Sequence, residues 1–426
     1  MNKTKLNSAH NRILNYLMIY IILFFPFLSI TAQSWQPQSS GIGNALMSVF
    51  FTDQSNGWIA GGFGTILHTT DSGENWNQQN SGTNENLNCV FFLDTLKGWI
   101  CGSEGTILQT TDGGSTWSTQ NSFTILNLLS VCFVNDSTGW VSGNNGIILK
   151  TTNGGSDWLP QDSQFSGYIA DLEFISADYG LAAAYASGAI TSTILKTTNG
   201  GDNWQVVTVS GLPPWPVFSI DFVDSSTGWV VGFIEVIFKS TDGGNTWTEQ
   251  QGVSSTPEGF LSVSFADENN GWTVGYYGII AHTTNGGDLW TAETSGTSEN
   301  LWNVCFVNET LGWAVGDNGT ILRYGNPVVQ VMNGSNATPP EYILLNNYPN
   351  PFNPVTKIKY EIPERSFITI KVYDVLGNEV VTLLNEEKSP GNYEIEFTGK
   401  GLTSGIYFYK LQAENFISVK KMILLK

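Results

Sequence analysis

The stretch TTDGGSTW at residues 110–117 returns five more times in near copy: TTDSGENW at 69–76, TTNGGSDW at 151–158, TTNGGDNW at 197–204, STDGGNTW at 240–247 and TTNGGDLW at 283–290. Each copy is headed by an acid or its amide (Asp71, Asp112, Asn153, Asn199, Asp242, Asn285) and closes on Trp76, Trp117, Trp158, Trp204, Trp247 or Trp290. An acid, glycines and an aromatic ring at fixed offsets suit a metal loop, a phosphate cradle or a catalytic carboxylate. Recurrence speaks against all three, because an active site is used once and a catalytic acid does not exchange freely with Asn. The motif is expected to be a structural turn. Its side-chain oxygen should accept from backbone N–H groups one to three residues on. Gly114 and its equivalents should supply positive φ, and each Trp should bury about 150–250 Å² over the turn.

Gly-Trp recurs at 57–58, 98–99, 139–140, 228–229, 271–272 and 312–313, with Gly180-Leu181 as a degenerate copy, at spacings of 41, 41, 41, 48, 43 and 41 residues. Internal periods of this size signal a solenoid or a propeller. Each unit reads as an apolar strand such as LNCVFFLD, then GWICG, then GTILQTT, then the Asp- or Asn-headed loop and a strand opening at Trp. Four short strands per unit, with no helical period, make a propeller blade. The seventh unit stops at GTILRYGN (319–326), after its third strand, and WQPQSSG at 35–41 matches WNQQNSG at 76–82. The stretch at 35–41 is therefore expected to supply the outer strand of the last blade and close the ring, leaving no open edge between first and last blades.

Residues 33–326 hold 27 Asp and Glu against 5 Lys and Arg, a balance of −22, while residues 327–426 hold ten of each sign. A domain so acidic repels nucleic acid and anionic lipid, so no nucleic-acid partner is expected. Four of the five cations (Lys150, Lys196, Lys239, Arg323) share one repeated slot with His68, Gln109 and His282, which makes them scaffold, paired with acids such as Asp53 or Asp94. Three scattered His and four Cys without a CxxC pair offer no zinc site; no metal and no cofactor is expected. Cys89 and Cys101 fall on consecutive strands, either bonded or as buried free thiols. Lys3, Lys5 and Arg12 precede an apolar run ending in SITAQS, so residues 1–32 read as a secretory signal peptide, with an uncleaved anchor as the alternative. No later segment is apolar for long enough to cross a bilayer.

TTDSGENW and its copies look like the Asp-box (bacterial neuraminidase) repeat. The whole unit, over about residues 35–325, resembles the photosystem II assembly and stability factor-like propellers. That resemblance implies the fold and says little about function, since one scaffold hosts many activities. Sialidases with this turn clamp a substrate carboxylate with three arginines, whereas residues 33–326 contain one, Arg323. Asp-box xyloglucanases place their carboxylates in a cleft between two propellers, and this chain has one. No Ser–His–Asp set is expected with two His locked in equivalent slots.

Residues 326–341 (NPVVQVMNGSNATPPE) lose the repeat and read as a linker. Beyond it, ITIKVYDVLGNEV, NYEIEFTG, GIYFYKLQ and SVKKMILL alternate as an antiparallel, immunoglobulin-like β-sandwich over 342–426, with a hairpin turn at Gly377-Asn378. YPNPFNP (348–354), VYDVLG (372–377), LTSGIYFYKL (402–411) and the closing KKMILLK resemble the type A C-terminal sorting domain of the type IX (Por) secretion system. Membership implies Sec export, handling by the type IX machinery through residues 342–426, and release or attachment at the cell surface of a Gram-negative bacterium. A signal addressed to the surface leaves no place for a photosystem role. The fold expected overall is all-β: a seven-bladed propeller at 33–325, a linker and a small sandwich.

Departures from the repeat carry the remaining information. Five residues are added in YASGAITST of blade 4, and two in each of the connectors QVVTVSGLPPWPV and TEQQGVSSTPEGF. Strand 2–3 loops and blade connectors open on one face of a propeller and the Asp boxes on the other, so all this variation falls on one face. Unpatterned aromatics gather there: Phe63, Tyr185, Trp215, Phe233, Tyr276, Tyr277 and Trp302. Exposed aromatics suit protein or glycan contact; the alternative for each is packing on neighbours. The function expected is non-enzymatic binding of an extracellular protein or glycan, with a glycoside hydrolase or lyase using acids of the same face as the alternative.

Overall fold

The computed structural model describes residues 33–425 except 187–191, 208, 210–214, 235, 254–258, 326–341, 346, 348, 351, 376 and 414–415. The expected signal peptide, linker and most of the blade 4 insertion lie outside the described residues. The chain divides into two compact units, 1–327 and 328–426.

The described residues of the first unit form seven four-stranded antiparallel sheets, and the innermost strands form a ring. Those strands are Leu46–Phe51, Leu87–Phe92, Leu128–Phe133, Tyr168–Phe174, Val217–Phe222, Phe260–Phe265 and Leu301–Asn308, in blades 1 to 7. Ser34–Gln38 pairs antiparallel with Ile321–Gly325, opposing Trp35 to Tyr324, so the outer strand of blade 7 comes from the start of the described chain.

The Gly-Trp dipeptide is the joint between blades. In blade 2 the Trp99 ring stacks 3.6 Å from Phe133 of blade 3, and Trp58, Trp140, Trp229, Trp272 and Trp313 stack on Phe92, Phe174, Phe265, Phe306 and Phe51 in the same way at 3.4–3.6 Å. The glycine makes room for a ring within its own blade: a Cβ at Gly98 would lie 2.6 Å from Phe92. The Trp Nε1 then donates to a carbonyl in the next blade's Asp box, as Trp58 does to Gly113 O at 3.1 Å and Trp229 to Gly286 O at 3.1 Å. Blade 7 has no box, and Trp272, which faces it, has an Nε1 without a partner. Leu181 replaces Trp in blade 4, and there Tyr179 hydroxyl reaches Gly243 O instead.

A second belt runs around the innermost strands. Ser48, Ser130, Asp171, Ser219, Ser262 and Asn303 each accept the backbone N–H of the next blade, from Val90, Leu172, Ile220, Val263, Val304 and Val49 at 2.9–3.4 Å. Cys89 holds the remaining position, directly opposite Cys101 across its strand pair, and both thiols are free.

The second unit has a three-stranded sheet, with Val355–Ile362 between Ile343–Leu344 and Gly391–Thr398, and a four-stranded one ordered Glu379–Lys388, Ser366–Tyr373, Gly405–Ala413, Phe416–Leu424. Strict in–out alternation along Val355–Ile362 directs Ile358, Tyr360 and Ile362 into one core with Ile370, Tyr409 and Leu411. Phe352, from the NPFNP stretch, is buried and exchanges backbone bonds with Ile423 and Leu425, pinning the last strand. Gly377 takes φ +83° in the expected turn.

Candidate binding site

The six boxes share one hydrogen-bond pattern, and it differs from the expected one. Asp112 Oδ1 accepts from the N–H of Thr116, four residues on rather than one to three, at 2.9 Å. Asp71, Asn153, Asn199, Asp242 and Asn285 accept from residues 75, 157, 203, 246 and 289 at 2.8–3.0 Å. The longer reach is needed because both glycines turn left-handed, Gly113 at φ +71° and Gly114 at φ +87°, making a wide loop. The Thr116 N–H and hydroxyl hold the Asp112 carboxyl below its usual range. A residue whose role went unread completes the turn: buried Thr110 donates to Asp112 Oδ1 at 2.9 Å and accepts the Gly114 N–H at 2.8 Å. Trp117 meets Phe92 edge-on at 5.9 Å, and Trp76, Trp158, Trp204, Trp247 and Trp290 meet Phe51, Phe133, Phe174, Phe222 and Phe265 alike at 5.8–5.9 Å. Clefts occur beside the boxes of blades 3 and 4 at equivalent residues, Asn153 and Asn199, and so repeat with the scaffold.

The basic slot also differs from the expected arrangement. Its side chains lie across the strand pair from the Gly-Trp ring, not against Asp53 or Asp94. His68 and His282 stack on Trp58 and Trp272 at 4.6 and 4.1 Å, while the Lys150 and Lys239 ammonium groups lie 5.6 and 5.1 Å over Trp140 and Trp229. Asp53 and Asp94 instead close their own turns, on the N–H groups of Ser55 and Leu96 at 2.7 Å.

On the opposite face the aromatics meet. Trp215, Phe233, Tyr276 and Trp302 follow one another in one tilted and two edge-to-face contacts, at 6.2, 6.2 and 6.4 Å, across blades 5, 6 and 7. Tyr185 stacks on Tyr168 at 4.9 Å and meets Phe218 at 5.6 Å. Tyr168 and Phe218 were missed because both fit the apolar pattern of an inner strand. All five expected members of these runs are half-buried, and Trp302 is oriented by a 2.7 Å bond from Nε1 to Asp317 Oδ1. Phe63 and Tyr277 stand apart as tips of strand 2–3 turns, 74 % and 63 % exposed. Both hold left-handed backbone, φ 55° and 54°, at a position filled by Glu104, Asn145, Ile234 and Asn318 in blades 2, 3, 5 and 7. Asn suits that conformation and a bulky ring does not. Phe123, in the connector between blades 2 and 3, repeats the combination at φ 55° and 79 % exposure.

The family model described as photosynthesis system II assembly factor YCF48 matches residues 28–122, 121–218 and 215–294, most of the chain. The chain belongs to the YCF48-like family. Beyond this YCF48-like part, residues 346–425 match the secretion system C-terminal sorting domain, the mark of export by the type IX route. YCF48 from Cyanidioschyzon merolae is 20 % identical at a TM-score of 0.58, over 68 % of this chain and 99 % of its own. A YCF48 bound to D1 peptide is 21 % identical at 0.58, over 70 % and 98 %. The GH74 xyloglucanase from Xanthomonas campestris shares the fold at 10 % identity and 0.54, over 77 % and 59 %. No curated protein matches. Among the described residues no helix is long and apolar enough to cross a membrane, and no group of acids, His and Cys is arranged to hold a metal.

Proposed function

We propose that this YCF48-like propeller is a secreted or surface-held, non-enzymatic binding module whose aromatic face takes a segment of another protein. The observation that carries this is the pair of exposed rings, Phe63 and Tyr277, kept in left-handed turns beside a run of linked aromatics. The left-handed turn itself belongs to the repeat, and what is particular to blades 1 and 6 is a bulky ring placed there despite a strain of about 1–3 kcal/mol. Rigid aromatic rings are the side chains that most often anchor a protein partner. A related propeller bound to a peptide favours a protein segment over a glycan. The competing reading is glycoside hydrolysis by acids of the same face.

Peptide and glycan arrays, probed with the full chain, test the proposal, together with a polysaccharide hydrolysis screen. Peptides should be retained, and Tyr277→Ala and Phe63→Ala should each weaken the best of them about tenfold without lowering stability. Retention of glycans alone, or hydrolysis, would replace the proposal.

A further inference from the structure

The repeat supplies its own control for the innermost strands. Below the belt lies a second tier, in which Phe50, Phe91, Cys132, Glu173, Asp221, Ser264 and Cys305 each oppose the Gly-Trp position of their blade. Both tiers join neighbouring blades, and uncharged groups suffice for that: Ser264 Oγ accepts Phe306 N–H at 3.0 Å just as Asp221 Oδ2 accepts Phe265 N–H at 2.6 Å. Blades 4 and 5 nevertheless place three carboxyl groups here, Asp171 in the belt with Glu173 and Asp221 below it. Burying a charge that an uncharged acceptor could replace costs several kcal/mol per ion.

No Lys or Arg of the propeller offsets that cost. All five of its Lys and Arg are described, and each is engaged elsewhere. Lys97 pairs with Asp136 at 2.5 Å, Lys196 with Asn245 at 2.5 Å, Lys150 and Lys239 lie over tryptophans, and Arg323 opposes Trp313 on the third strand of blade 7. Asp171 is satisfied by Ser130, Ser219 and two backbone N–H groups at 2.9–3.0 Å. Glu173 is satisfied only in part: it accepts the backbone N–H of Phe222, but its Oε2 is closed to solvent and has no hydrogen-bond partner. Burial, then the charges of Asp221 and Asp171, push the Glu173 carboxyl well up, and burial pushes Asp221 to about 7. Asp171, Glu173 and Asp221 are half-buried. On other blades the same tier carries the Phe50 and Phe91 rings, 5.1 Å apart and also partly accessible. Acids and π faces in one tier fit an organic cation.

We propose that Glu173 and Asp221, with Asp171 above them in the belt, receive one cationic side chain of the protein partner, a guanidinium or ammonium group inserted along the ring of innermost strands from the aromatic face. The proposal rests on the protein-binding reading above and names the chemistry of its partner. The incoming charge supplies the absent counter-ion, and the −22 balance of the domain draws such a partner in.

The test is calorimetric titration of the full chain with acetyl-Gly-Arg-Gly-amide and its Lys, citrulline and norleucine counterparts, alongside the array peptides. The Arg or Lys probe should bind at least tenfold more tightly than citrulline, which keeps the shape without the charge. Glu173→Gln with Asp221→Asn should abolish that preference while the melting temperature holds or rises. Equal binding of citrulline, no binding of either cationic probe, or a preference unchanged in the double variant would each overturn the proposal. If array peptides bind through Tyr277 but are indifferent to the double variant, the aromatic-face reading stands and this one falls. If no peptide binds at all, both fall.

Discussion

Thr110 shows how much of a motif one residue can hold. Its hydroxyl bonds the Asp112 side chain and a glycine N–H from a buried position, so Thr110→Val strips one donor from Asp112 and leaves the buried Gly114 N–H unpaired. That should cost about 1–3 kcal/mol. Asp112→Asn should be nearly neutral, because Asn153, Asn199 and Asn285 already do the same work. Urea unfolding of the two variants decides between them; equal losses would mean that Asp112 acts through its charge. The recurrence of the box was legible as a structural turn, since six equivalents cannot all be one site. The four-residue reach and the part played by Thr were not, because spacing reports which residues recur and not which atoms meet.

At the scale of the element, the blade joint makes a prediction from a missing piece. Trp229 and Trp272 stack alike on Phe265 and Phe306, but Trp229 Nε1 has a carbonyl partner and Trp272 Nε1 has none. Phenylalanine at each position keeps a ring and removes the N–H. Trp229→Phe should therefore be the more damaging, by about 0.5–1.5 kcal/mol, as thermal melts would measure. Equal losses would show that the box contact adds nothing to the stack. Blade count and ring closure were readable because Trp35 repeats the position of Trp76. The link between Gly-Trp and the next blade's box was hidden, since it joins residues 55 to 60 apart that no local pattern connects. The aromatic face was half legible: Phe63 and Tyr277 stood out as breaks in a turn pattern, whereas Tyr168 and Phe218 were masked by the apolar alternation of their strands.

For the whole molecule, the buried acids set a pH dependence. Burial raises Asp171, Glu173 and Asp221 in the folded chain, Asp221 to about 7, while the unfolded chain releases these protons near pH 4. Between those values the folded state holds more protons, so stability should fall as pH rises from about 4 through about 7. Asp221→Asn should flatten that slope, and melting temperatures across the range would show it; an unchanged slope would place its origin elsewhere. These acids passed unnoticed in the sequence because 27 carboxylates share the domain and only the blade register marks three of them as internal. The sorting unit predicts a second behaviour: removing residues 342–426 should leave the propeller in the periplasm, and its normal appearance outside the cell would refute that route. What the propeller does there depends on which of its two faces meets a partner. The most direct measurement compares the affinity of the best array peptide for Tyr277→Ala and for Asp112→Ala, which lie on opposite faces. Binding should fall about tenfold in the first and be unchanged in the second; loss in the second alone would put the site among the boxes and contradict the assignment.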